Sequence, residues 1–311
     1  MVFEELQRNV KILIELMWDN RINWDDVERW LDNFDPEMQV HPNERLHALY
    51  LLGHFSYFNA QLLRVLVRAL FREYVQYPIL CRVRKALSDT LDRHALSRKY
   101  REELKRVRFV GMGNPSESGT HLLYYFRQEN RLPKGLFVRT HELFDASGGT
   151  MKLSRGWNHL VFLDDLCASG TQAETYSKKL LSRILAIDST VALSYFPLFA
   201  TSDGLRYVRA RTRFTKVEPL YELDSSFKAL QPDSRYFREP LPNVARDFAF
   251  NTCLKHGKEL EPGTPLGFKN GQLLLGFAHN VPDNTLPIFW SQGRPSRPWT
   301  PIFRRVPKED I

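Results

Sequence analysis

The first third of the chain has the hydrophobic spacing of helices. From Leu6 to Met17 apolar residues return every three or four positions, and the same spacing resumes after Asn23. A period of 3.6 residues predicts amphipathic helices, and asparagine is a favoured N-cap residue. We therefore predict an all-helical N-terminal region over residues 1–106.

The pattern changes at Val107, where short apolar runs begin to alternate with helical stretches. The runs that resemble strands are VRFVGM, GLFVRT, HLVFLDD, VALSYFPLFA and KVEPLYEL. Strands alternating with helices predict an α/β fold with a parallel sheet covered on both faces. We assign this core to residues 107–224 and treat the proline-rich residues 225–311 as a C-terminal extension packed on it.

One long uncharged stretch raises the question of a membrane. Residues 46–63 carry no Asp, Glu, Lys or Arg, but they include two histidines, an asparagine and a glutamine, which lipid would penalise. We predict a buried helix here and no membrane association. The acidic, amphipathic start of the chain is unlike a signal peptide. The three cysteines lack CxxC spacing, and a reducing cytoplasm is therefore the expected location.

The net charge of +8, from 44 basic and 36 acidic residues, favours anionic partners without choosing among them. The most basic run, LSRKYREELKRVR, is interpreted as a solvated helix face, with a nucleic-acid contact as the alternative. The nine histidines show no HExxH spacing, so a dedicated metal site is not expected.

The segment VFLDDLCASGT, residues 161–171, concentrates the candidate chemistry. Ligands of an open parallel sheet bind beyond the carboxyl ends of its strands. The run Ala168, Ser169, Gly170 and Thr171 leads into a predicted helix, whose free N–H groups and positive end suit a phosphate monoester. Asp164 and Asp165 precede it at a distance suited to the adjacent hydroxyls of a ribose that carries this phosphate. The hypothesis requires that both carboxyl groups face outward.

This segment resembles the phosphoribosyl-pyrophosphate (PRPP) signature of type I phosphoribosyltransferases, in which an apolar strand, an acidic pair and a phosphate loop follow one another. The resemblance implies that Asp164 and Asp165 engage the ribose hydroxyls and that residues 168–171 hold the 5′-phosphate. Ala168 stands where a hydroxyl residue is common. Mg²⁺ is the implied cofactor, bound mostly through substrate oxygens with the two aspartates as indirect partners.

The same resemblance assigns further residues to the pyrophosphate. The segment FVGMGNPSESGTHLL occupies the place of the pyrophosphate loop, and the strand ending in Arg139 precedes a hydrophilic stretch in the position of a mobile flap. Thr140 replaces the lysine that often follows the arginine. The implied residues are Ser116, Glu117, Ser118, Gly119 and Arg139 for pyrophosphate, with Lys152 and Arg155 on the flap.

The C-terminal extension is interpreted as a hood over the site. Its segment HNVPDNTLPIFW contains side chains that could hydrogen-bond to the acceptor substrate and stack on its base. The alternative is a structural turn, because Pro-Asp-Asn is a typical turn sequence. The candidates are His279, Asn280, Asp283 and Asn284.

The helical N-terminus and the segment GFAHNVPDNTLPIFW together resemble the phosphoribosyltransferase-like effectors of bacterial conflict systems, including those encoded beside retron reverse transcriptases. The resemblance implies an anti-phage effector that uses PRPP or a nucleotide. It also implies a partner that restrains the effector, and a reverse transcriptase–nucleic acid complex is one candidate for this partner. A homo-oligomer is left open. Two alternatives remain: a catalytically silent PRPP or nucleotide sensor, favoured by Ala168 and Thr140, and a nucleoprotein-docking module.

Overall fold

The computed structural model describes residues 2–34, 43–113, 118–145, 152–153 and 156–305, without the side chains of residues 118–120 and 152. In these ranges the helices are α1 Val2–Leu16, α2 Trp24–Leu31, α3 Glu44–Gly53, α4 Ala60–Phe71, α5 Tyr77–Ala86, α6 Arg93–Leu104, α7 Ser118–Glu129, α8 Thr171–Ile187, α9 Ser202–Arg211 and α10 Arg246–Leu260. The strands are β1 Ser56–Phe58, β2 Val107–Gly111, β3 Phe144–Asp145, β4 Lys152–Leu153, β5 His159–Cys167, β6 Ala192–Thr201, β7 Lys216–Val217, β8 Tyr221–Leu223, β9 Leu275–Phe277, β10 Gly293–Arg294 and β11 Arg297–Pro298.

The chain divides into two compact units. Unit 1 contains residues 1–62 and 223–311, and unit 2 contains residues 63–222. This division differs from the predicted segments 1–106, 107–224 and 225–311. The second half of the predicted helical region belongs with the sheet, and the first half belongs with the C-terminal extension.

Unit 2 is built on a parallel sheet, as the sequence predicts. β5 lies between β2 and β6, and β6 also pairs with β7, each pair being parallel. β5 and β6 are buried along almost their whole length, which is typical of strands covered on both faces. The predicted α/β class is therefore confirmed.

Helices cover the two faces of this sheet. On one face Phe109 of β2 packs with Phe71 of α4 and Phe126 of α7. On the other face the sheet packs against buried residues of α8 and α9, including Leu181 and Val208. Apolar side chains thus cover both faces of the sheet, so we look for the polar groups that matter for chemistry at the strand ends.

Unit 1 joins residues from the two ends of the chain around an aromatic core. β1 pairs in parallel with β9, and Ser56 stands opposite Leu275. The Trp30 indole stacks on Phe289, with ring centroids 5.4 Å apart, and its N–H donates to the carbonyl of Ile288 at 2.7 Å. The predicted N-cap at Asn23 is confirmed, because its side chain accepts from the Asp26 N–H at 3.0 Å.

Three predicted elements differ from the structure. Residues 46–63 do not form one helix, since β1 interrupts them to pair with β9. GLFVRT makes a single bridge, Phe137 to Phe109, between two short 3₁₀ helices. KVEPLYEL splits into β7 and β8, because Pro219 between them lacks the N–H that a continuous ladder needs.

No helix among the described residues is long and apolar enough to cross a membrane. The three cysteines are free thiols. The basic helix α6 has no buried residue, which agrees with a solvated face.

Candidate functional site

The candidate site lies at the carboxyl end of β5. Asp164 and Asp165 are consecutive in the strand, so their side chains point to opposite faces of the sheet. Both are buried, with exposed fractions of 4% and 9%. The strand runs on through Cys167 before the chain turns into α8.

Asp164 faces inward. Its Oδ2 accepts a hydrogen bond from the Tyr195 hydroxyl of β6 at 2.8 Å, and its Oδ1 accepts from the N–H of Asp165 at 3.0 Å. Burial first, and then the charge of Asp165, raise the pKa of the Asp164 carboxyl well above its usual range. The hypothesis required both carboxyl groups to face outward, but the Asp164 carboxyl faces Tyr195 inside the fold. Since consecutive side chains of a strand point to opposite faces, Asp164 and Asp165 cannot both lie on the face of Tyr195.

Cys167, at the end of β5, is buried near the Tyr195 hydroxyl and within reach of the Asp164 charge. Burial, followed by the charge of Asp164, raises the pKa of its thiol to about 12. The thiolate is the nucleophilic form of cysteine, and a thiol with this pKa stays protonated at neutral pH. Burial in the apolar cluster of unit 2 and the raised pKa both favour packing as the role of Cys167.

The turn after β5 has the geometry expected of an anion-binding loop. Gly170 caps α8 with a φ of 74°, a left-handed conformation that glycine adopts without strain. The Ser169 hydroxyl donates to that of Thr171 at 3.2 Å and lies 3.4 Å from the Thr171 N–H. The first N–H groups of a helix have no acceptor within it and carry its positive end, so α8 begins where an anion is favoured.

The N-terminus of α9 contacts this loop and fixes its backbone. Thr201 donates its hydroxyl to the carbonyl of Ala168 and accepts from the N–H of Gly204 at 2.9 Å. A Cβ on Gly204 would lie 2.4 Å from the Ala168 oxygen, so only glycine permits this approach. The loop's shape is thus fixed by backbone contact with a second helix.

Of the residues predicted for pyrophosphate, the structure places three and leaves two outside the described ranges. Ser116 and Glu117 lie outside them. Ser118 and Gly119 open α7, and their side chains are not described. Arg139 is exposed at the start of a 3₁₀ turn, where its N–H donates to Glu142 at 2.7 Å.

Two short strands, β3 and β4, lie within the predicted flap. β3 pairs antiparallel with β4, and Asp145 stands opposite Lys152. The Lys152 side chain is not described, and Arg155 lies outside the described residues.

The acceptor candidates belong to unit 1 and separate into two pairs. His279 and Asn280 line a cavity. Asp283 is 3.4 Å from Arg305, and Asn284 is buried with its amide donating to the carbonyl of Phe268 at 2.9 Å. These contacts favour the turn interpretation for the second pair, and the acceptor role of all four residues stays a prediction.

The residues at the end of β5 fit a magnesium ion only in part. No group of three or more His, Cys, Asp or Glu side chains suited to a metal occurs in the part of the chain that the structure describes. Both oxygens of Asp164 accept hydrogen bonds within the fold. Asp165 supplies a carboxylate, and Mg²⁺ commonly uses one or two carboxylates with water and substrate phosphates.

Comparison with known proteins identifies the class. A model of the PRTase-CE family, where PRTase abbreviates phosphoribosyltransferase, matches residues 27–305. The chain belongs to this family, and its fold is α/β with a mostly parallel central sheet. This family supports a phosphoribosyltransferase-like function.

Solved structures similar to the chain include the xanthine-guanine-hypoxanthine phosphoribosyltransferase of Helicobacter pylori, with 8% identity and a TM-score of 0.27 over 54% of this chain and 88% of that one. The AQ2163 protein of Aquifex aeolicus is similar at 10% identity and a TM-score of 0.29, over 65% of this chain and 86% of that one. No curated protein matches the chain.

Two contributors to the site were missed by the sequence reasoning. Tyr195 fixes the Asp164 carboxyl, and Thr201 fixes the Ala168 carbonyl. A signal existed for Thr201, since Thr-Ser-Asp-Gly is a typical helix start. Tyr195 could be found only from the register of β5 on β6.

Proposed function

We propose that unit 2 binds the 5′-phosphate and ribose of PRPP or a nucleotide at the end of β5. The observation that carries the proposal is the loop of residues 168–171, which follows the Asp165 carboxylate and leads into α8. Gly170 of this loop is the N-cap of α8. In this arrangement Ser169, Thr171 and the first N–H groups of α8 hold the phosphate. Asp165 accepts from the ribose hydroxyls, and Asp164 positions the strand end through Tyr195.

The proposed reaction is phosphoribosyl transfer. An acceptor nucleophile forms a bond to C1 of the ribose while the bond from C1 to pyrophosphate breaks and the electron pair leaves with pyrophosphate. The protein orients the reactants and stabilises the leaving group, here with Arg139 and the flap residues Lys152 and Arg155. Magnesium, held by Asp165 and substrate oxygens, would neutralise charge on the pyrophosphate.

Isothermal titration of the full chain with PRPP and Mg²⁺ tests the binding step. We expect saturable binding that weakens at least tenfold in the double variant Ser169→Ala with Thr171→Val, or about 1.4 kcal/mol. Ser182→Ala is the matched control, since its hydroxyl is on the same helix and donates to the Lys178 carbonyl at 2.9 Å. Absence of heat at millimolar PRPP, or equal weakening in the control, would contradict the proposal.

A second candidate is a catalytically silent sensor of the same ligands. Thr140 in place of a lysine and the inward-facing Asp164 favour it. Pyrophosphate release from PRPP, tested with nucleobases and nucleotides as acceptors, separates the two functions. An enzyme releases pyrophosphate and loses this activity in Asp165→Asn, whereas a sensor binds PRPP without releasing it.

We further propose that the activity serves anti-phage defence and is restrained by a partner such as a reverse transcriptase–nucleic acid complex. The resemblance to conflict-system effectors supports this role, and the exposed basic helix α6 supports a contact with nucleic acid. Protection of a host culture from phage that is lost in Asp165→Asn would agree with the proposal. Equal protection by the wild type and this variant would contradict an enzymatic defence role.

A further inference from the structure

Unit 1 contains a cavity that the proposed function does not use. Its volume is about 360 Å³, within the range of small-molecule sites. Five parts of unit 1 line it: the turn between α1 and α2, helix α2, strand β1, the end of β9 with the segment after it, and residues 300–304. Both ends of the chain are therefore needed to form it.

The cavity wall is aromatic. Tyr57 and Phe303 stack with their ring planes 11° apart, and Phe277 and His279 stack within 4° of parallel. The Phe277 and Phe303 rings are almost wholly buried, whereas His279 is half-buried at the cavity surface. Of these four rings, that of His279 is the one a planar ligand can reach and stack on, and the buried rings hold it in place.

Positive charge exceeds negative charge around this wall. Arg21, Arg29 and Arg304 line the cavity together with one carboxylate, Asp26. Asp26 is already occupied, because it pairs with Arg29 and accepts from the N–H of Asn23 at 2.8 Å.

The remaining two arginines are exposed, and neither is in an ion pair with a carboxylate among the described residues. The Arg21 side chain hydrogen-bonds to the Tyr57 hydroxyl. The charge of a second carboxylate, Asp19, also acts on Tyr57. Guanidinium groups bind phosphate through paired hydrogen bonds, so these two arginines can hold an anion beside the aromatic wall.

We infer that this cavity binds a nucleoside monophosphate, with the phosphate on Arg21 and Arg304 and the base against the aromatic wall. Two features specify this class together: an anion alone would not need the rings, and a neutral aromatic would not need the arginines. The site lies within unit 1 and does not depend on the loop at the end of β5.

Titration of the full chain with AMP tests the inference, with adenosine and inorganic phosphate as separate probes. We expect saturable AMP binding, and at least tenfold weaker binding of each probe alone. Arg304→Gln should weaken AMP binding several-fold, and Arg21→Gln combined with it at least tenfold. Arg294→Gln, an exposed arginine of unit 1 outside the cavity, should leave it unchanged.

Three results would overturn the inference. The first is no saturable AMP binding at millimolar concentration. The second is equal loss in the Arg304 and Arg294 variants, each checked for native circular dichroism. The third is loss of AMP binding in the Ser169→Ala, Thr171→Val variant, which would place the AMP at the loop of unit 2. Retained AMP binding in that variant, with PRPP binding lost, separates the two sites.

Discussion

The two ends of β5 carry similar titratable side chains in different surroundings. Each end carries a titratable side chain that hydrogen-bonds to β6, and Asp164 is buried whereas His159 is partly buried. His159 bonds to Ser194 at 2.8 Å, and Asp164 accepts from Tyr195 at 2.8 Å. Burial drives both toward the neutral form, lowering the pKa of His159 to about 4 and raising that of Asp164.

The difference lies in what surrounds these groups. At the carboxyl end a glycine-capped loop and the start of α8 follow the strand directly. At the amino end a cavity of about 380 Å³ is lined by Arg82, Lys216 and Glu103, so its positive charges come from side chains. Backbone N–H groups held by a turn are fixed in direction, whereas long side chains are not.

The largest expected effect comes from Gly204→Ala. Its new Cβ would stand 2.4 Å from the Ala168 oxygen, so the loop or α9 must shift. Overpacking of this kind costs about 1–3 kcal/mol, and we expect that loss in the free energy of unfolding by urea together with loss of PRPP binding.

Gly135→Ala is the control, because its Cβ would meet nothing within 4 Å. It should change the free energy of unfolding by less than about 0.5 kcal/mol. If Gly204→Ala were as mild as this control, the loop would not depend on α9.

The two titratable groups should give pH dependences of opposite sign. Between pH 6.5 and about 4 the unfolded chain protonates His159 while the folded protein does not, so its contribution makes stability rise with pH in this window. Above the ordinary aspartate pKa of about 3.9, the unfolded Asp164 ionises while the folded carboxyl, whose pKa is raised, keeps its proton. Its contribution therefore makes stability fall as pH rises.

Urea unfolding across pH 4–7 separates these contributions by difference from variants. His159→Gln should remove the rising part, which amounts to roughly 2–3 kcal/mol. Asp164→Asn should gain stability relative to the wild type as the pH increases. A wild-type minus Asp164→Asn difference that is independent of pH would show that Asp164 is ionised in the fold.

The smallest effect should come from the two hydroxyls on β6. Tyr195→Phe removes a donor from a buried carboxyl, and the expected loss in unfolding free energy is about 1–2 kcal/mol. Ser194→Ala should cost about 0.5–1 kcal/mol, since His159 is only partly buried. Thermal unfolding of both variants measures the ranking, and a larger loss in Ser194→Ala would reverse it.

Local patterns predicted what depends on nearby residues. The period of the apolar residues located α1 and α2, Asn23 marked a cap, and residues 161–171 marked the end of β5 and the start of α8. Each depends on a few neighbouring residues along the chain. The parallel sheet followed because alternating strands and helices leave few other arrangements.

Features that depend on distant residues were not predicted. The three-residue strand β1 exists because β9, far along the chain, pairs with it. The inward turn of Asp164 depends on which face of β5 meets Tyr195, and sequence alone does not give that register. Propensity for a helix at residues 46–63 was thus overridden by tertiary pairing.

The composition of unit 1 has a consequence for the order of folding during synthesis. Unit 2 is complete once residue 222 has left the ribosome, but unit 1 needs residues 223–311 as well as its first 62. Its first helices therefore lack their packing partners until residues 223–311 have been synthesised. Nascent chains stopped near residue 240 should resist protease over residues 63–222 and be cleaved in the first 62, a vulnerable interval suited to chaperone capture.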